Sequence, residues 1–171
     1  MARRRSVVAF VLLVVTAFSL GVVASASAGL SSQERTVVVL INRERARRGL
    51  PCVAIRANLC RAAEAHSAEM MRLQYFAHRS AGGATMATRV IRAGYGRTGY
   101  RSWAVAELIG YGYGLAGTPR AMVSRWMDSK LHRAKILDPR WRDIGVGRVT
   151  GTFRGIENVA IYTVDLGRRI R

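Results

Sequence analysis

Along the middle of the chain apolar residues recur in steps of three and four, and toward its end they alternate or cluster in short runs. From Ser31 to Arg48, Val37, Leu40 and Ile41 share one side while Arg43, Glu44, Arg45, Arg47 and Arg48 supply the other. This predicts a first helix capped by Ser31 or Ser32, ended by Gly49 and turned by Pro51. The stripe Leu59, Ala62, Ala63, His66, Met70 and Leu73 predicts a second helix from Ala57 or Asn58 to Leu73. A polar loop over 79–84 leads to a shorter helix from about Thr85 to Ala93, which Gly94 closes. Glycines and tyrosines break any period over 94–117, leaving loop and one short strand near Arg101–Ala106. Pro119 suits the first turn of a helix that turns Ala121, Met122, Val123 and Trp126 inward and ends near Ser129. A polar stretch around Pro139 follows. Ile144–Val149 and Val159–Leu166 read as strands joined by a turn region over Gly151–Gly155. Helices first and strands later predict an α+β domain with an antiparallel sheet.

The first residues bear on the compartment. Arg3, Arg4 and Arg5 precede an uncharged run from Val7 to Val23, and Ala26-Ser27-Ala28 follows it. This predicts a signal peptide over 1–28 cleaved after Ala28, with Ala24-Ser25-Ala26 as a second cleavage motif. An uncleaved anchor is the alternative, and either one exports the chain. Arg4-Arg5 also permits a twin-arginine route. The remainder, 29–171, has the size of one domain.

Charge adds a class of partner. The chain holds 28 Lys and Arg against 10 Asp and Glu. The leader contains three of the arginines and no acid, so the remainder carries net +15. Nucleic acid is disfavoured because the protein is exported, its arginines are scattered along the sequence, and only Lys130 and Lys135 are lysines. Anionic cell-wall polymers or lipid headgroups suit the charge better, which includes contact with a membrane surface. In an oxidising compartment Cys52 and Cys60, the only cysteines, read as one disulfide, with two buried free thiols as the alternative.

Three histidines can be weighed singly. His66 lies on the apolar stripe of the second helix and reads as a hydrogen-bonded core residue. His78, after Tyr75-Phe76, and His132, after Trp126-Met127-Asp128-Ser129, sit at helix-to-loop junctions that expose a ring. There is no HExxH, no GxSxG and no phosphate-cradling glycine loop. A cluster of two histidines and a carboxylate from distant segments is left, which spacing alone does not establish.

Several segments, in order, resemble the CAP superfamily (cysteine-rich secretory, antigen 5 and pathogenesis-related proteins) in its bacterial secreted form. They are Leu40-Ile41-Asn42-Arg43-Glu44-Arg45-Ala46, Ala65-His66-Ser67-Ala68-Glu69-Met70, Phe76-Ala77-His78-Arg79-Ser80, Trp126-Met127-Asp128-Ser129 with His132-Arg133, Ile144-Gly145-Val146-Gly147, and Tyr162-Thr163-Val164-Asp165-Leu166-Gly167. The resemblance implies an α-β-α sandwich, a small antiparallel sheet covered by helices on both faces. It also implies a cleft of two histidines and two glutamates that in some members holds a divalent metal. His78 and His132 take the histidine positions and Glu107, in Ala106-Glu107-Leu108-Ile109, the first glutamate position, while Ser129 stands where the second glutamate would be. The expected metal, zinc by preference, is then held weakly by His78 and His132. Tyr111 and Tyr113 either line this cleft or pack on the surface. Three functions follow as expectations. One is a binding domain without a chemical step, for a lipid, a cell-wall component or an extracellular protein. The second is a metal-assisted hydrolase with Glu107 as base, and the third a basic module that coats anionic polymers.

Overall fold

In the computed structural model, which describes residues 29–171, the first helix begins where the sequence places its cap. Ser31 and Glu34 form a capping box over α1 (Ser32–Ala46), the Glu34 carboxylate accepting from the Ser31 amide at 2.7 Å. α2 (Ala57–Leu73) keeps its predicted bounds and stops at Gln74, whose φ of 56° lies in the left-handed region. α3 (Met86–Arg92) and α4 (Pro119–Asp128) start at Thr85 and Thr118, whose hydroxyls accept from the amides of Thr88 and Ala121. The expected leader and its cleavage site lie outside the described residues. Among the described residues no helix is long and apolar enough to cross a membrane.

Four strands, β1 (Ala54–Ile55), β2 (Ser102–Gly112), β3 (Asp143–Phe153) and β4 (Ile156–Ile170), lie in the order β1-β3-β4-β2. The three long strands are antiparallel, as expected. β1 is the exception and pairs parallel to β3. With two residues it has no period to read, and it is set by Ala54 and Arg56 donating to the carbonyls of Arg142 and Ile144 at 2.8 and 2.9 Å. β2 runs on to Gly112, past the short strand expected from sequence. Gly110 is no break in it: a Cβ there would press on Trp126.

Each face of the sheet takes a helical layer. Leu108, Ile144, Val146, Tyr162, Val164 and Leu166 point toward α1 and α4 in the main core. Full burial of one such aliphatic side chain stabilises by about 1.5–3 kcal/mol. On the other face Gly145 and Gly147 lie under α2, where a Cβ would overlap the backbone of Leu59 and of Glu64. The helix therefore rests directly on β3.

Two expectations fail here. The polar stretch after Ser129 is a helix, α5 (Lys130–Ile136), so His132 lies within a helix and not at a junction. Only Ile136 of α5 is buried, which leaves no amphipathic signal. Its end is held from outside: fully buried Arg45 donates to the carbonyls of Ile136 and Asp138 at 2.7 and 2.9 Å, and to Pro51 at 2.9 Å. The predicted disulfide is absent as well, and both cysteines are free thiols. Between them β1 is drawn out along β3 at about 3.3 Å per residue, leaving Cys52 exposed before it and Cys60 buried in the first turn of α2. Burial raises the Cys60 thiol above its ordinary value.

Candidate functional site

β2 is an edge strand, and a cleft runs along its open side between the two helical layers. Lys135, Trp126 and Arg125 donate from the α4–α5 layer to the β2 carbonyls of Glu107, Ile109 and Tyr111, at 3.0, 3.1 and 2.7 Å. These donors cover the strand edge, which would otherwise offer unpaired acceptors.

His78 enters from the α2 side. The Gln74 turn releases the chain, and the His66 ring, fully buried on α2, donates from Nε2 to the Ala77 carbonyl at 3.0 Å, fixing the residue before His78. His66 is thus the core histidine the sequence predicts. Burial lowers its pKa, so the ring is neutral at neutral pH. Phe76 meets Tyr111 edge-on at 4.9 Å between centroids, and Tyr111 meets Phe153 at 5.3 Å.

Glu107 is the pivot of the site. Its side chain is 3% exposed, and its Oε1 accepts from His78 Nδ1 at 2.7 Å. Its Oε2 is paired with Arg89 of α3. Carboxylate oxygens only accept, so Nδ1 donates to Glu107, and in the neutral ring the lone pair is then on Nε2. The His78 side chain is 53% exposed. Arg89 also donates to the carbonyls of His78 and Ala84 at 2.9 and 3.2 Å, tying the 79–84 loop to the same carboxylate. Arg89 escapes the sequence analysis because nothing in the pattern of α3 sets one arginine apart.

The remaining expected residues line the next part of the cleft. His78, Glu107 and Lys135 border a cavity of about 470 Å³, and Ser129 and His132 border another of about 460 Å³ with Phe76, Tyr111, Tyr113 and Trp126. Tyr111 and Tyr113 therefore do line the cleft. His132 comes from α5 and has a lowered pKa, from burial first and then from the charge of Lys135 and of His78. Among the described residues no three His, Cys, Asp or Glu side chains are grouped to hold a metal ion. The donors left for one are two imidazoles, with Arg89 and Lys135 adding positive charge nearby.

Behind Glu107 the polar band continues inward. Asp165 stands opposite it on β4, fully buried, and neither of its carboxyl oxygens has a hydrogen-bond partner among the described residues. Burial, and then the charge of Glu107, push its pKa well above the usual carboxylate range.

An α-β-α sandwich with a histidine-bearing cleft at its sheet edge is the class of domain these features define. The chain belongs to the CAP family, cysteine-rich secretory proteins, whose family model matches residues 38–164. It is 33% identical over 133 residues to an uncharacterized protein of Bacillus subtilis, YkwD; the match covers 73% of this chain and 46% of that protein, so the chain spans about half the length of this curated relative. Solved structures that share the fold include two from bacteria. An outer surface protein of Borrelia burgdorferi is 18% identical with a TM-score of 0.65, over 82% of this chain and 96% of that one. An extracellular protein of Bacillus anthracis containing an SCP domain is 23% identical with a TM-score of 0.64, over 83% and 45%.

Proposed function

We propose that this protein is an extracellular binding domain without a chemical step, whose cleft along β2 holds an amphiphilic ligand such as a lipid or a cell-wall component. The observation that carries this reading is the state of Glu107: one oxygen is bonded to His78 and the other paired with Arg89, which ties the carboxylate into the wall of the cleft. The aromatic part of the cleft suits an apolar body, and His132, Ser129 and Arg125 add polar groups to its lining. An exported location is supported by the leader-like first residues and by the extracellular and outer-surface proteins that share the fold.

A divalent ion would be held by His78 Nε2 and His132, with solvent completing the shell. Two neutral imidazoles fit zinc, and a third protein ligand is lacking, so affinity is modest. Bound there, the ion would act as a Lewis acid toward an acceptor group of a ligand.

A hydrolase is the second reading, favoured by one observation only. A carboxylate-oriented His78 with a free Nε2 has the form of a general base. Mass spectrometry of small molecules carried by protein purified from its native culture medium separates the two. Ligand retained by the wild type and lost in Tyr111→Ala and His132→Ala, with no hydrolysis of ester, amide or glycoside probes, supports binding. Turnover that disappears in His78→Ala overturns it.

A further inference from the structure

Arginines scattered along the sequence meet in one groove. α1 packs against α4, and between them lies a concavity of about 400 Å³ on the far side of the sheet from α2. Arg43 from α1, Arg47 and Arg48 from the turn that ends it, Arg120 from the first turn of α4 and Arg133 from α5 border it, and all five are exposed. Its acids are Glu44 and Asp128. Glu44 already serves two guanidiniums, Arg47 at 2.6 Å and Arg48 at 2.8 Å, and the bond from Arg48 leads in holding its pKa below the usual range. Arg43 and Arg120 have no side-chain hydrogen bond or ion pair among the described residues, although carboxylates stand in the same groove.

We propose that this groove is a second binding site, separate from the β2 cleft, and that it holds a linear polyol-phosphate polymer of the cell envelope. Guanidinium forks match phosphate oxygens in pairs, and here they outnumber the local carboxylates by five to two. Arg43 in the last turn of α1 and Arg47 at its C-cap are one helical turn apart, about 6 Å along the axis, which suits phosphates separated by a short carbon spacer. The floor of Leu40, Val123 and Met127 gives the spacer an apolar bed. The lining has no aromatic ring on which single-stranded bases could stack. A flat bilayer does not reach into a concave surface.

The test uses protein recovered after expression of the full chain, with poly(glycerol phosphate) as the probe. The triple variant Arg43→Gln, Arg47→Gln, Arg120→Gln is compared with Arg72→Gln, Arg92→Gln, Arg97→Gln, which removes the same charge from exposed arginines elsewhere. The groove triple should bind at least tenfold more weakly at 0.15 M salt, and its log K against log salt slope should fall by about 2, the value for three lost phosphate contacts. The control triple should change affinity by less than about twofold. Equal losses in the two triples would make the binding a matter of overall charge and overturn the site. So would duplex DNA binding as tightly as the polymer with the same dependence on the groove triple.

Discussion

Glu107 and Asp165 face each other across neighbouring strands, one held by a histidine and an arginine, the other buried with no hydrogen-bond partner. Two carboxyls so placed cannot both ionise cheaply. The Asp165 pKa is raised well above its unfolded value, so the folded state holds the proton more tightly. The stability this brings is complete below the unfolded value of 3.8 and is lost as pH rises through the folded value. Asp165→Asn should therefore stabilise the protein by about 1–2 kcal/mol at pH 7 and leave it unchanged near pH 3, as read by urea denaturation at both. A loss at pH 7 would mean that Asp165 has an unrecognised partner.

Glu107→Gln should behave in the opposite way. It strands Arg89, whose side chain is 9% exposed, and a buried pair broken from one side costs about 3–5 kcal/mol. Thermal unfolding would show it, and the 79–84 loop should become sensitive to protease first. A variant as stable as the wild type would remove Glu107 from the centre of the site.

His66 makes stability depend on pH with the sign of a histidine whose pKa is lowered. Its contribution is full above the unfolded value of 6.5 and is lost as pH falls through the lower folded value, and His132 acts in the same direction. His66→Gln, which retains a donor for the Ala77 carbonyl, should cost about 1–2 kcal/mol at pH 7 and reduce the loss of stability between pH 7 and 5. Denaturant midpoints across that range check both.

Arg45→Ala should cost about 3 kcal/mol or more, since it leaves the carbonyls of Pro51, Ile136 and Asp138 without their donor inside the protein. Hydrogen exchange should show the loss concentrated in α5, and with it the position of His132. Uniform exchange across the fold would contradict the role of Arg45 as the anchor of that helix.

Zinc should bind weakly and only when both rings are present. His78→Ala and His132→Ala should each abolish the calorimetric signal, and His66→Ala should mainly lower stability. Ligating imidazoles must be unprotonated, so binding should weaken as pH falls from neutral into the acid range. Unchanged binding without His132 would refute the two-imidazole site.

α1 to α4, the two long C-terminal strands and the core role of His66 are legible along the chain, because each rests on a local period, a cap or a glycine stop. The order of its short motifs also pointed to the family, and the resemblance singled out His78, Glu107 and His132 as candidates. Tertiary structure decided what has no local signal. α5 exists because Arg45, some ninety residues earlier, satisfies its end. β1 exists because β3 offers it two hydrogen-bonding positions. The engagement of both Glu107 oxygens depends on α3, which brings Arg89, and on the segment after α2, which brings His78, both lying beside β2. Charge behaves likewise: a count of arginines is written in the sequence, but their convergence between α1 and α4 follows from how those helices pack on the sheet.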